Sequence, residues 1–119
     1  MPVDIIDASG TLLEVRIVGT LDKADYERLA MVVRDAIARE KRIRALVVAE
    51  RFQGWERGAD WSDVSLVTGE GQHIEKMAIV GEERWRDEVL LFTGKGLRPT
   101  AIEFFPPSRM AQARAWLSA

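Results

Sequence analysis

Few residues in this chain are of types that do chemistry, and their spacing is thin. The one histidine, His73, stands near Glu70 and Glu75, a trio that could ligate a metal or pair an imidazole base with an orienting carboxylate. One imidazole with two flexible acids lacks the spacing of a dedicated site, so the trio reads as a polar loop between a helix and a strand. Acids occur in pairs, Asp22 with Asp25, Asp60 with Asp63 and Glu82 with Glu83. Each pair falls in or near a first helical turn, where the helix dipole accounts for it. The serines at 9, 62, 65, 108 and 118 occupy turns, a helix and a cap, and none stands in a G-x-S-x-G elbow. Cysteine is absent, which excludes disulfides, thiolate metal sites and thiol catalysis. No P-loop and no G-x-G-x-x-G follows a strand, and "TGEGQ" at 68–72 falls where a helix ends. Neither an enzyme nor a cofactor or metal is expected.

Aromatic residues are the remaining feature with binding potential. Of the four tryptophans, Trp85 and Trp116 fit the apolar stripes of helices, so packing explains them. Trp55 and Trp61 lie in "ERFQGWERGADWSDV", and they are expected to pack on the sheet or to line a pocket or a subunit contact. Gly54 is expected to take a turn that brings Trp55 over the end of the third strand. Val64, on the same short helix as Trp61, and Val89 and Phe92, on the next one, complete the candidate binding set.

The elements that must position these residues alternate along the chain. Val3–Ala8 and "LLEVRIVG" read as two strands joined by Ser9-Gly10, with Leu13, Val15 and Ile17 on one face of the second and Glu14 and Arg16 on the other. Asp22 is placed to cap a helix over Lys23–Glu40, where Tyr26, Leu29, Val33 and Ile37 recur at helical spacing. "ALVVA" at 45–49 and "MAIV" at 77–80 lack alternation, the pattern of parallel strands covered on both faces. Each is followed by a helical segment, the later one starting at Glu82 and Glu83 and ending at Gly94 or Gly96. "TAIEFF" is a last strand, and Ser108 is placed to cap a terminal helix with Met110, Ala113 and Leu117 on one side. The resulting order is ββαβαβαβα: an α/β domain with a five-stranded mixed sheet, about four helices, and only the first hairpin antiparallel. Ligands of such sheets gather at the carboxyl ends of the parallel strands, here the loops 19–22, 50–56 and 81–83.

Composition narrows the partners. The chain has 119 residues, enough for one core, with 17 basic against 19 acidic side chains and 47% hydrophobic residues. A formal charge of −2 gives no field that favours nucleic acid or an anionic membrane. No segment reads as a leader or membrane span, and with no cysteine the expected location is cytoplasmic.

In combination, "FQGW" after the third strand, "DWSDV" in the next helix, "KMAIVGEERW", and "FF" before a terminal "AQARAWL" resemble the SpoIIAA-like family of small bacterial proteins. That resemblance implies a single STAS-type domain over 1–119, a fold grouped with the CRAL-TRIO lipid-transfer proteins, non-enzymatic and often self-associating. In the anti-sigma-factor antagonists of this kind a phosphorylatable serine opens the helix after the third strand. Here that place reads Gln53-Gly54-Trp55-Glu56, with no hydroxyl, so a switch of that type is not expected. Two functions follow. The favoured one is an interaction module that forms a homodimer or binds a regulatory partner protein through the Trp55–Trp61 surface. The other is a carrier of a small apolar molecule, such as a fatty acid or lipid, held beside Trp55, Trp61, Val89 and Phe92.

Overall fold

The alternation of Leu13, Val15 and Ile17 with Glu14 and Arg16 is resolved as expected: the first three are buried in β2 (Leu12–Leu21), and the two charged residues are part-exposed on its other face. The computed structural model describes residues 3–8, 10–59, 61, 74–93, 95 and 99–119. Within them β1 (Val3–Asp7), β2, β3 (Ile43–Trp55), β4 (Ile74–Val80) and β5 (Ala101–Phe105) form one sheet in that spatial order. The β1–β2 hairpin is antiparallel and every other pairing is parallel. "ALVVA" and "MAIV" therefore lie in interior strands.

Strands that advance in one direction through right-handed crossovers place their connecting helices on one face. Helices α1 (Lys23–Glu40) and α2 (Arg86–Thr93) accordingly share a face, packing with Ala45, Val47, Met77 and Ile79. Helix α3 (Met110–Ser118) follows the last strand and returns across the other face, onto Leu46, Ala78 and Val80. The interior strands are thus covered on both sides, which is why they read as unbroken apolar runs.

Several boundaries differ from expectation, each for a local reason. Segments 19–22 and 50–56 are not loops as far as Leu21 and Trp55. They extend β2 and β3, with Thr20 paired to Gly54 and Leu21 to Trp55 beyond a bulge at which the register slips. Positive φ at Gly19 (76°), Arg51 (47°) and Gly54 (100°) lets the chain bend there without ending the ladder. Ser108 is not a cap. Pro107, after an extended Pro106, starts helical geometry early, so Ser108 lies within a 3₁₀ turn, Pro107–Arg109, and α3 begins at Met110 without a side-chain cap. A similar turn, Glu83–Trp85, precedes α2, which ends at Thr93.

Three α-helices stand among the described residues, in the order ββαββαβα. The fourth expected helix, with Val64, falls on 62–73 and so outside them, as do His73, Glu70, Asp60, Asp63, Gly94 and Gly96. Trp61 itself lies in neither helix nor strand.

Asp22 caps α1 as expected, its Oδ1 accepting the Asp25 N–H at 2.7 Å. Asp25 does more than complement the dipole. It is buried and accepts the Val3 N–H at 3.1 Å, while Arg28 donates to the Val3 carbonyl, so α1 fastens the edge strand β1.

Candidate functional site

The carboxyl halves of β2, β3 and β4 carry mostly aliphatic side chains towards α1 and α2, and the bent end of β3 adds two large rings, Phe52 and Trp55. Gly54 between them makes a close approach: a Cβ there would sit 3.3 Å from Cη2 of Trp85. Phe52 meets Trp55 edge-on at 5.2 Å and Trp85 at 5.1 Å between centroids, and Trp55 lies 5.1 Å from Phe92. Trp61 seats edge-on against both Tyr26 and Phe92, each at 5.7 Å. Edge-to-face contacts of this kind contribute about 0.5–1.5 kcal/mol each beyond the area they bury. The indole N–H groups of Trp55 and Trp85 are buried without a hydrogen-bond partner among the described residues, whereas Trp61 Nε1 donates to the Glu56 carbonyl at 3.0 Å.

Rings this large do not fill the space beneath them. A cavity of about 100 Å³ remains between the sheet and the two helices, lined by Ile17, Leu21, Val47, Ala49, Phe52, Trp55, Met77 and Ile79 from the strands, Tyr26 and Leu29 from α1, and Val89, Phe92 and Thr93 from α2. The Thr93 hydroxyl donates back to the Val89 carbonyl at 3.0 Å, so its polarity is turned into the helix. Of the residues singled out in the sequence, Trp55, Val89 and Phe92 line the cavity, Gly54 lets Trp85 pack beside it, and Trp61 forms a second layer over Tyr26 and Phe92. Val64 lies outside the described residues. Tyr26, Phe52 and Met77 were not singled out, though the helical stripe and "FQGW" already contained the first two.

The neighbouring helix start offers no anion site. The N-terminal N–H groups of α1 are taken by the chain's own carboxylates, Asp22 on Asp25 and Glu56 on Lys23, the latter at 2.9 Å. No group of three or more His, Cys, Asp or Glu residues able to hold a metal stands among the described residues.

A larger cleft, about 420 Å³, opens at the opposite end of the sheet, lined by Thr11, Leu12, Arg42, Ile43, Arg44, Glu75, Leu117 and Ser118. Its charges are spent on one another and on the end of α3. Arg44 pairs with Glu75 at 2.7 Å and donates to the Leu117 carbonyl, and Lys76 donates to the Trp116 carbonyl at 2.9 Å. The hydrogen bond and charge of Arg44 hold the Glu75 carboxyl below its ordinary range. This end clamps a helix C-terminus, and the smaller apolar cavity is the better candidate because it lies where α/β sheets bind ligands.

The arrangement defines an α/β domain with a mixed sheet and an apolar site at the carboxyl ends of its parallel strands. Residues 12–118 match the SpoIIAA-like family, and the chain belongs to it. Its fold is that of an uncharacterised protein of the DUF3478 family with a SpoIIAA-like fold from Shewanella loihica PV-4: the TM-score is 0.73 at 24% identity, over 97% of this chain and 93% of that one. No curated protein matches the chain. No helix among the described residues is long and apolar enough to cross a membrane.

Proposed function

We propose that the domain is a non-enzymatic binding module that takes a compact apolar group into the cavity beneath Trp55 and Phe92. The observation that carries this reading is a cavity of about 100 Å³ with aliphatic and aromatic walls at the carboxyl ends of three parallel strands. A guest of matching shape gains the burial of its own apolar surface there, at about 25 cal/mol per Å². Apolar cavities of about 150 Å³ stay dry and bind benzene, so this one suits a small ring or the end of a hydrocarbon chain. A whole acyl chain does not fit, which narrows the fatty-acid reading to its terminus. Family membership supports the absence of catalysis.

The test is a benzene titration followed by tryptophan fluorescence, with native mass spectrometry of protein taken directly from its expression host. A saturable fluorescence change that Ala49→Leu abolishes is expected. A linear, non-saturating response would defeat the reading.

The second reading is the interaction module. It is favoured by Leu91 on the outer side of α2, 79% exposed, and Met31 on α1, 59% exposed, which a homodimer or a partner protein would cover. Sedimentation velocity of the wild type and Leu91→Glu decides it: a dimer in the first and a monomer in the second supports self-association.

A further inference from the structure

Helix α2 is built unlike its neighbours. α1 buries Tyr26, Leu29, Val33 and Ile37, and α3 buries Ala113 and Leu117, whereas α2 buries no residue. Its inward side chains Val89 and Phe92 are only partly buried against the core, and they share the lining of the cavity with Val47, Met77 and Ile79. It is also short, at 8 residues, and isolated helices below about 12–15 residues are marginal in water. The order of α2 therefore depends on what its inner face rests on.

We propose that α2 is the moving wall of the cavity, so that an apolar guest binds by ordering this helix. The inference rests on the binding reading above and adds to it the element through which occupancy is felt. The guest supplies contacts that the sheet leaves unmade across the cavity. Opening of α2 removes one wall of the site, so a bound guest must oppose that opening, and by reciprocity a change that orders α2 without occupying the cavity must tighten the guest. α1 and the sheet have their own buried contacts and gain little.

Amide hydrogen exchange of the full chain, with benzene as the probe, tests this. At free benzene ten times its dissociation constant, α2 amides should exchange about tenfold more slowly, because a ligand held only by the closed form opposes opening by that factor. Amides in the middle of α1 should change less than about twofold. Ala49→Leu, or the smaller Val47→Leu should the first not fold, places carbon in the cavity and should slow α2 exchange with no benzene present. Bound benzene with unchanged α2 exchange overturns the proposal, as does equal slowing of α1 and α2. If benzene fails to bind but the filled variants protect α2, the binding reading falls and the moving wall stands. If benzene fails to bind and the filled variants leave α2 exchange unchanged, both fall.

Discussion

The two faces of one sheet are packed by different rules. Against α3 the sheet offers Leu46, Ala78 and Val80, and α3 answers with Ala113 and Leu117, all between 0 and 4% exposed. Ala78 and Ala113 let helix and sheet approach closely, Leu46, Val80 and Leu117 pack around them with Phe105 and Trp116 partly buried beside them, and the rim is tied by Arg114 to Glu14 at 3.1 Å. Against α1 and α2 the same strands face tyrosine, phenylalanine and tryptophan, whose edge-to-face contacts span the layer and leave a cavity of about 100 Å³. Close packing demands either small matched surfaces or interdigitating large ones. The α3 face combines the two, alanines at the closest approach with leucines packed around them, whereas the face under α1 and α2 leaves a gap, which makes it the face with capacity to bind.

Removing volume should separate the faces most. Leu46→Ala, at a fully buried position under α3, is expected to cost roughly 3–5 kcal/mol in denaturant melts, while Val89→Ala, on a half-buried cavity wall, should cost less than about 2 kcal/mol. Comparable losses would break the contrast. Gly54→Ala should cost about 1–3 kcal/mol through its positive φ and its approach to Trp85, and should shift Trp fluorescence as the ring cluster is displaced. Adding volume should give opposite signs. Ala78→Val is expected to destabilise by about 1–3 kcal/mol, whereas Val47→Leu should stabilise by about 0.5–1 kcal/mol, both read from melting curves.

The smallest effect concerns the polar end of the α3 face. Because Arg44 depresses the Glu75 pKa in the folded state, the stability this pair adds is present above the ordinary glutamate value of about 4.3 and is lost as pH falls through the lowered native value. Glu75→Gln should therefore cost a little stability at neutral pH and almost none in strong acid, flattening the acid limb of a stability-versus-pH curve slightly. A loss as large in strong acid as at pH 7 would contradict that assignment.

Much of the architecture was legible in local pattern. The span of α1, the Asp22 cap, the single antiparallel hairpin and the two interior strands follow from alternation, capping residues and unalternating apolar runs, all of which act within a few residues. The stripe of Trp85, Val89 and Phe92 placed the inner side of α2 in the same way. Glycine misled at the ends of β2 and β3. In the sequence Gly19 and Gly54 signal turns because glycine takes positive φ readily, yet in the fold a neighbouring strand keeps pairing through the bend.

What the sequence by itself determined, then, is which residues are apolar, which side of each element they occupy and that one sheet must be covered twice. Only the tertiary structure decided that Tyr26, Trp55 and Phe92, from three separate elements, converge around a space none of them fills. It also decided that Asp25 reaches back to Val3. The physical reason is that periodicity encodes direction, whereas a cavity is the difference between the volume enclosed by several elements and the volume of the side chains they bring to it. That difference exists only once the elements are assembled.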